Sequence, residues 1–463
     1  MKKTALILAA GQGTRMKSDT PKVLHRVCGK AMINHVIDAA GGAGTDEQII
    51  VIGHGAEKVR EETDREGLAF AVQEEQLGTG HAVMCAESLL PSEGLVLVLC
   101  GDTPLIKAET LSAFIDYHTE EKNTVSVLTA IFDNPTGYGR IVKGSDGCIL
   151  RIVEEKDADE ETKKIREINS GMYCFDAAFL REGLKSLQTN NAQGEYYLTD
   201  LIEFAVDGGR KSGTFPVEND EEIMGVNNRI QLSQAAEKMR NRINEGFMTE
   251  GVTFIDPKTV YIDGDVEIGR DTVIWPGAII TRGTKIGKGC LIGHNCRIEN
   301  SVIGDGTDIQ SSTIVDSRVG SNTHVGPYAY MRPNSNVGSD VKIGDFVEVK
   351  NANIGDGTKA SHLAYIGDAD VGKDVNIGCG VVFVNYDGIG KSRSVVEDEA
   401  FIGSNSNLVA PVHVEKHGYI AAGATITKTV PEGALVVARP KERVLEGWGE
   451  RKLSQKKEKK NAK

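Results

Sequence analysis

Three clusters of residues have the types and spacing to do chemistry. The first is Gly11-Gln12-Gly13-Thr14-Arg15-Met16 with Pro21-Lys22, directly after the aliphatic run Thr4–Ala10. A glycine loop behind a strand lets backbone N–H groups come close to an anion. Met16 stands where a dinucleotide fingerprint needs its third glycine, and a P-loop's Gly-Lys-Ser/Thr is missing. What remains is a glycine loop with two cations, Arg15 and Lys22, able to clamp a triphosphate and offset charge at a transferring phosphorus.

The second feature is Asp102, at the end of the aliphatic run Leu95–Gly101. A carboxylate there suits a magnesium ligand, and it equally suits a turn or N-cap residue before Pro104. The third is His362 in Lys359-Ala360-Ser361-His362-Leu363-Ala364-Tyr365, with Arg332 and Lys350 upstream and Asn376 and Asn385-Tyr386 downstream. Cations beside a candidate general base suit a phosphorylated amine substrate, although a histidine at a turn is often only a surface residue.

The elements that must position these groups fall into two kinds. Up to residue 226, short aliphatic runs (Thr4–Ala10, Gln48–Gly53, Leu95–Gly101, Val125–Ala130) alternate with helix-compatible stretches such as Met32–Ala40 and Ala108–Glu121. That alternation predicts an α/β, Rossmann-like domain with a parallel, doubly wound sheet and ligands at the strands' carboxyl ends. Residues 228–248 read as one connecting helix, with Ile230, Ala235, Met239, Ile243 and Phe247 at helical spacing.

From about residue 252 the period changes. Isoleucine recurs at 262, 268, 274, 280, 286, 292 and 298, a step of six. The step returns at Val325, Met331, Val337, Ile343 and Val349, and again from Ile402 to Ile426. This is the hexapeptide pattern of a parallel β-helix, with the aliphatic residue inside and glycine or small polar residues at the corners. The pattern slips near 303, 314 and 354 and breaks over 384–400, where a loop is expected. Cys290 and Cys296, one repeat apart, read as stacked equivalent positions.

Composition sets the outer limits. The chain has 463 residues, 40% hydrophobic and 26% charged, which excludes collagenous, disordered and membrane-spanning classes. Of its 53 glycines, 28 fall in residues 251–450. A net charge of −13 argues against nucleic acid as a partner. The exception is the tail 451–463, with seven basic residues and one Glu, which reads as a solvated, disordered end. Eight scattered cysteines without a C-x-x-C pair fit a reducing compartment. The apolar run Ala5–Ala10 is short for a leader and reads as a buried strand, and no apolar stretch approaches the ~20 residues of a membrane span. A cytoplasmic protein without membrane insertion is expected.

The glycine loop with Pro21-Lys22 resembles the signature of the sugar-1-phosphate nucleotidyltransferases. Joined to hexapeptide repeats, residues 4 to 448 resemble the bacterial bifunctional N-acetylglucosamine-1-phosphate uridylyltransferase/glucosamine-1-phosphate N-acetyltransferase family. Further matching segments are Gln73-Glu74-Glu75-Gln76-Leu77-Gly78-Thr79-Gly80-His81-Ala82, Gly137–Ile141, Gly194–Asp200 and Gly225–Arg229.

The resemblance implies a uridylyltransferase domain over 1–227, a linker helix over 228–248, and a left-handed β-helix acetyltransferase domain over 249–450. It implies that Leu8, Ala9, Ala10, Gly11, Lys22, Gln73, Gly78 and Thr79 hold the uridine nucleotide. Gly139, Glu154, Asn169 and Asn227 would hold N-acetylglucosamine, and Asp102 and Asn227 would bind Mg2+. Arg15 and Lys22 would assist transfer of the uridylyl group from UTP, with pyrophosphate leaving. Cys100 stands where some relatives carry Tyr, a position expected to act through its backbone.

In the second domain, Arg332, Lys350, Tyr365 and Asn376 would hold glucosamine-1-phosphate, and His362 would take the amine's proton. Cys379, Asn385, Tyr386, Ser404, Ala422 and Arg439 would line the acetyl-CoA path. The resemblance also implies a homotrimer and a product, UDP-N-acetylglucosamine, that feeds cell-wall precursors. Alternatives are a nucleotidyltransferase whose β-helix only regulates or oligomerises, a noncatalytic scaffold, and a zinc site at His294 and His324. The other histidines, His81 among them, lack metal-ligand spacing and read as structural or surface residues.

Overall fold

The computed structural model describes residues 1–461 in two compact units: Met1–Gly246 with Ile262–Gly264, and the rest from Phe247 onward. In the first unit, seven strands form the main sheet. They are β1 (Lys3–Leu8), β2 (Glu47–Ile52), β3 (Leu68–Val72), β4 (Leu95–Cys100), β5 (Val125–Ile131), β6 (Glu167–Asp176) and β7 (Ser212–Pro216). Their order is β7-β5-β6-β4-β1-β2-β3.

The expected all-parallel sheet needs one correction. β6 runs antiparallel to both β4 and β5. It follows the hairpin Arg140–Lys143/Ile149–Val153, which brings the chain back in the opposite direction. Both faces are covered, which explains the unbroken aliphatic runs. Ala5 and Ile7 face a core shared with the helices Met32–Gly42 and Ala108–Glu120. Leu6 faces the opposite core with the helices Thr79–Cys85, Ala177–Gly183 and Asp200–Asp207.

The expected connecting helix forms as Arg229–Thr249. Ala235 and Met239 pack with Val27, Met32, Leu105 and Val226, so this helix helps close the first unit.

The second unit is a left-handed β-helix. Ile268 pairs with Ile286, Ile274 with Ile292 and Ile280 with Ile298, each 18 residues on. Three hexapeptides therefore make one triangular coil. The seven isoleucines of the repeat are all buried. Where the pattern slips, the coil loses a residue at a corner: Ile286 pairs with Ile303, and Val337 pairs with Ile354. Where it breaks, Ala369 pairs with Ser394, so the extra residues project as the loop around Tyr386–Lys391.

The tail departs from the expectation of disorder over its described residues. Residues 451–461 lie in a helix, Trp448–Asn461, with no buried residue. Ala462 and Lys463, part of the same expectation, lie outside the described residues.

Candidate active sites

Strand β1 delivers the chain to the glycine loop at its carboxyl end, and β4 delivers Asp102 beside it. Leu8, Ala9, Ala10, Gly11, Lys22, Gln73, Gly78, Thr79 and Asp102 line one cleft. Gln76 and Glu195, for which no role was expected, also line it. Gly13 holds φ +61°, and a Cβ there would sit 2.6 Å from Lys22 Cβ, so only glycine lets the loop close on this lysine.

Lys22 Nζ donates to Asp102 Oδ2 at 2.5 Å and to Asn227 Oδ1 at 3.2 Å. Arg15 donates to the same Asn227 oxygen at 2.9 Å. Residues 212 apart in sequence thus meet at one point. The backbone adds a clamp, since Val226 N–H donates to Asp102 O at 2.9 Å.

Gly139, Glu154 and Asn169, the three further residues expected at the sugar, form their own group. Asn169 N–H donates to Gly139 O at 2.9 Å, and a Cβ on Gly139 would stand 3.4 Å from both Asn169 Cβ and Glu154 Oε2. Asn169 Nδ2 donates to the buried Tyr173 hydroxyl at 2.8 Å. Burial pushes the Glu154 carboxyl up, and Asp157, Asp200 and the cleft residue Glu195 push the same way.

In the β-helix, adjacent coils bring Arg332, Lys350, Tyr365 and Asn385 to one region. Lys350 Nζ donates to Asp368 Oδ2 at 3.2 Å, and Asn385 Nδ2 donates to the same oxygen at 2.5 Å. Asn385 Nδ2 also reaches the Tyr365 hydroxyl at 3.2 Å. Arg332 pairs with Glu348 at 2.9 Å. Lys391, which no sequence signal singled out, joins them from the projecting loop. Lys350 holds the Lys391 ammonium below the ordinary lysine range, and Arg332 adds to the effect. Crowded cations of this kind suit a phosphate group.

His362 Nδ1 lies 2.5 Å from Asp345 Oδ1 on the preceding coil. The histidine holds the Asp345 carboxyl below the usual range, so the acid is ionised and accepts. In the neutral ring Nδ1 therefore carries the proton, which leaves the lone pair on Nε2. Asp345 was legible only by counting one coil back from His362.

Cys379, Ser404 and Ala422 continue the same corner. Lys359 pairs with Asn376, Asn376 with Phe401 and Phe401 with Tyr419. Three residues beyond these four lie His362, Cys379, Ser404 and Ala422, one ladder along the helix axis. Arg439 donates to Ala422 O at 3.0 Å and caps it. Asn376 lies on the His362 sheet and not on the sheet that carries Lys350 and Tyr365. Tyr386 donates to Gly388 O at 2.8 Å within the projecting loop.

His294 bonds to Ser311, and His324 to Asp308 and Gly326 O. Among the described residues, no group of three or more His, Cys, Asp or Glu side chains is arranged to hold a metal ion. Among them, too, no helix is long and apolar enough to cross a membrane.

Residues 4–221 match the nucleotidyl transferase family. The chain is 57% identical over 448 residues to the bifunctional protein GlmU of Clostridioides difficile, covering 97% of each chain. It is 54% identical to the bifunctional protein GlmU of Alkaliphilus metalliredigens, covering 98% of this chain and 99% of that one. It is 53% identical to the bifunctional protein GlmU of Clostridium perfringens strain SM101, with the same coverage. The chain belongs to the bifunctional GlmU family, enzymes that make UDP-N-acetylglucosamine by acetyl transfer and uridylyl transfer.

Proposed function

We propose that the two activities divide between the units, with uridylyl transfer in residues 1–227 and acetyl transfer in residues 249–450. The observation that carries this is the presence of two separate polar constellations. One is Arg15–Lys22–Asp102–Asn227, and the other is made of the Asp345–His362 pair and the crowded cations Arg332, Lys350 and Lys391 of the same unit.

In the first site, the phosphate oxygen of N-acetylglucosamine-1-phosphate attacks the α-phosphorus of UTP and pyrophosphate leaves. No protein nucleophile is required, because positioning and charge neutralisation carry phosphoryl transfer chemistry. Leu8 to Gly11 and Gln73, Gly78 and Thr79 hold the nucleotide, while Gly139, Glu154 and Asn169 hold the sugar. Arg15 and Lys22 offset charge on the phosphates.

The Asp102 and Asn227 oxygens both aim at the Lys22 ammonium, so they already share a focus for a cation. Hard oxygen donors of this kind fit Mg2+, which takes few protein ligands and completes its shell with phosphates and water. When bound by Asp102 and Asn227, Mg2+ supplies further neutralisation of phosphate charge.

In the second site, His362 Nε2 takes a proton from the amine of glucosamine-1-phosphate as that amine attacks the acetyl thioester of acetyl-CoA. The C–S bond then breaks and coenzyme A leaves as the thiol, taking up that proton. Asp345 fixes the tautomer and stabilises the imidazolium that forms. Arg332, Lys350, Tyr365 and Asn376 hold the sugar phosphate. Cys379, Asn385, Tyr386, Ser404, Ala422 and Arg439 line the coenzyme path. A homotrimer of β-helices in the cytoplasm, feeding cell-wall precursors, completes this reading. The family resemblance supports it, and the eight free cysteines fit a reducing compartment.

One coupled assay tests the assignment. Glucosamine-1-phosphate, acetyl-CoA, UTP and Mg2+ are supplied, and free thiol and pyrophosphate are followed separately. Both should appear. Pyrophosphate release from N-acetylglucosamine-1-phosphate without thiol release would leave the β-helix a regulatory or oligomerising module.

A further inference from the structure

We propose that His81, outside the cleft, sets the base specificity of the nucleotide site by locking the side-chain amide of Gln73. The inference rests on the reading of Gln73 as a uridine contact.

Gln73 is buried and lines the cleft. One atom of its amide lies 3.2 Å from Gly78 O and 3.2 Å from His81 Nδ1. A carbonyl oxygen only accepts, so the amide atom facing Gly78 must be the nitrogen. His81 Nδ1 must then be the unprotonated ring nitrogen, and its proton sits on Nε2. That nitrogen lies 3.8 Å from Cys85 Sγ, one helical turn on, which accepts. The Tyr196 ring stacks on His81 at 6.2 Å and holds the imidazole plane.

Both amide hydrogens of Gln73 are therefore directed away from the ligand. Gly78 O alone is a weak lock, because it also accepts Ala82 N–H at 3.2 Å. His81 supplies the second, unshared acceptor. The group that Gln73 can offer a nucleotide is its carbonyl oxygen.

An acceptor presented to a pyrimidine edge favours uracil, whose N3–H donates. Cytosine places an acceptor lone pair at N3, and the two would repel. A site built around one hydrogen bond rejects the base that lacks its partner because a polar group is left unpaired. His81 is thus a positioning residue, acting through Gln73 and touching no ligand.

The test compares UTP with CTP as donor to N-acetylglucosamine-1-phosphate, following pyrophosphate release by the full-length chain and two variants. In His81→Leu the amide can rotate. The UTP/CTP ratio of kcat/KM should fall about tenfold, through a higher KM for UTP with kcat within about twofold. In His81→Asn the side-chain Oδ1 replaces the lost acceptor, and the ratio should stay near that of the parent chain. An unchanged ratio in His81→Leu, or equal loss in both variants, overturns the role of His81. Should the leucine variant fail to fold, as judged by thermal melting, His81→Ala takes its place. A parent chain that does not prefer UTP to CTP overturns the nucleotide reading of Gln73 itself, a different result from either.

Discussion

Asp345 Oδ1 and His362 Nδ1 lie 2.5 Å apart although 17 residues separate them, because one coil of the β-helix stacks them in register. The carboxylate selects the tautomer that leaves Nε2 basic. His362→Ala should lower acetyl transfer by about 10²–10⁴, the usual contribution of a general base. Asp345→Asn should cost less, because the imidazole stays but loses its orienting partner. Uridylyl transfer should be unaffected in both. Thiol release against pyrophosphate release measures the split.

Asp102 should behave in the opposite way. Asp102→Ala leaves Lys22 without its 2.5 Å partner and removes an oxygen donor from the cation focus. Uridylyl transfer should fall by at least about 10²-fold, the scale of losing one electrostatic stabiliser, and acetyl transfer should persist. Raising Mg2+ should restore part of the lost rate if Asn227 and the phosphates still bind the ion. Loss of acetyl transfer in this variant would contradict the separation of the sites.

His118 predicts an acid limit for the first unit. It is buried, shares a 2.9 Å hydrogen bond with Ser126, and has its pKa pushed down to about 4, chiefly by burial. The folded state therefore favours the neutral ring. Its stability contribution is fully present above the unfolded value of 6.5 and is lost as pH falls toward about 4. The loss amounts to about 3 kcal/mol over that window. Melting followed from pH 7 to pH 4 should show a shallower decline in His118→Gln than in the parent chain.

The β-helix interior should be sensitive to single truncations. Ile292 is fully buried and stacks between Ile274 and Ile309. Ile292→Ala should destabilise this unit by roughly 2–5 kcal/mol through lost transfer energy and a residual cavity. On stepwise heating of the full chain, acetyl transfer should be lost at a lower temperature than in the parent. Unchanged heat sensitivity would show that neighbouring coils collapse into the gap.

Much of this protein is written in local sequence. The step of six from Ile262 to Ile298 dictates a β-helix, because only a coil of flat, short sides buries every sixth residue. The glycine loop and the aliphatic runs dictate a strand that ends at an anion site. Local pattern fails where the partner is distant. The antiparallel direction of Glu167–Asp176 depends on a hairpin whose residues look like any strand pair. The basic tail looks like a disordered end, yet it is helical through residue 461, since a mixture of Lys, Glu and Gln also suits a solvated helix.

Residue order alone establishes which chemical groups are present and which elements carry them: the cations Arg15 and Lys22, the carboxylates Asp102 and Asp345, and the imidazoles of His81 and His362. Folding in three dimensions chooses which of their atoms meet. Asn227 reaches Arg15 across 212 residues, and His81 meets Gln73 because a tight turn at Gly78, with φ +107°, folds the helix back on the strand end. Hydrogen bonds act over about 3 Å, so their partners are set by packing and register rather than by position along the chain.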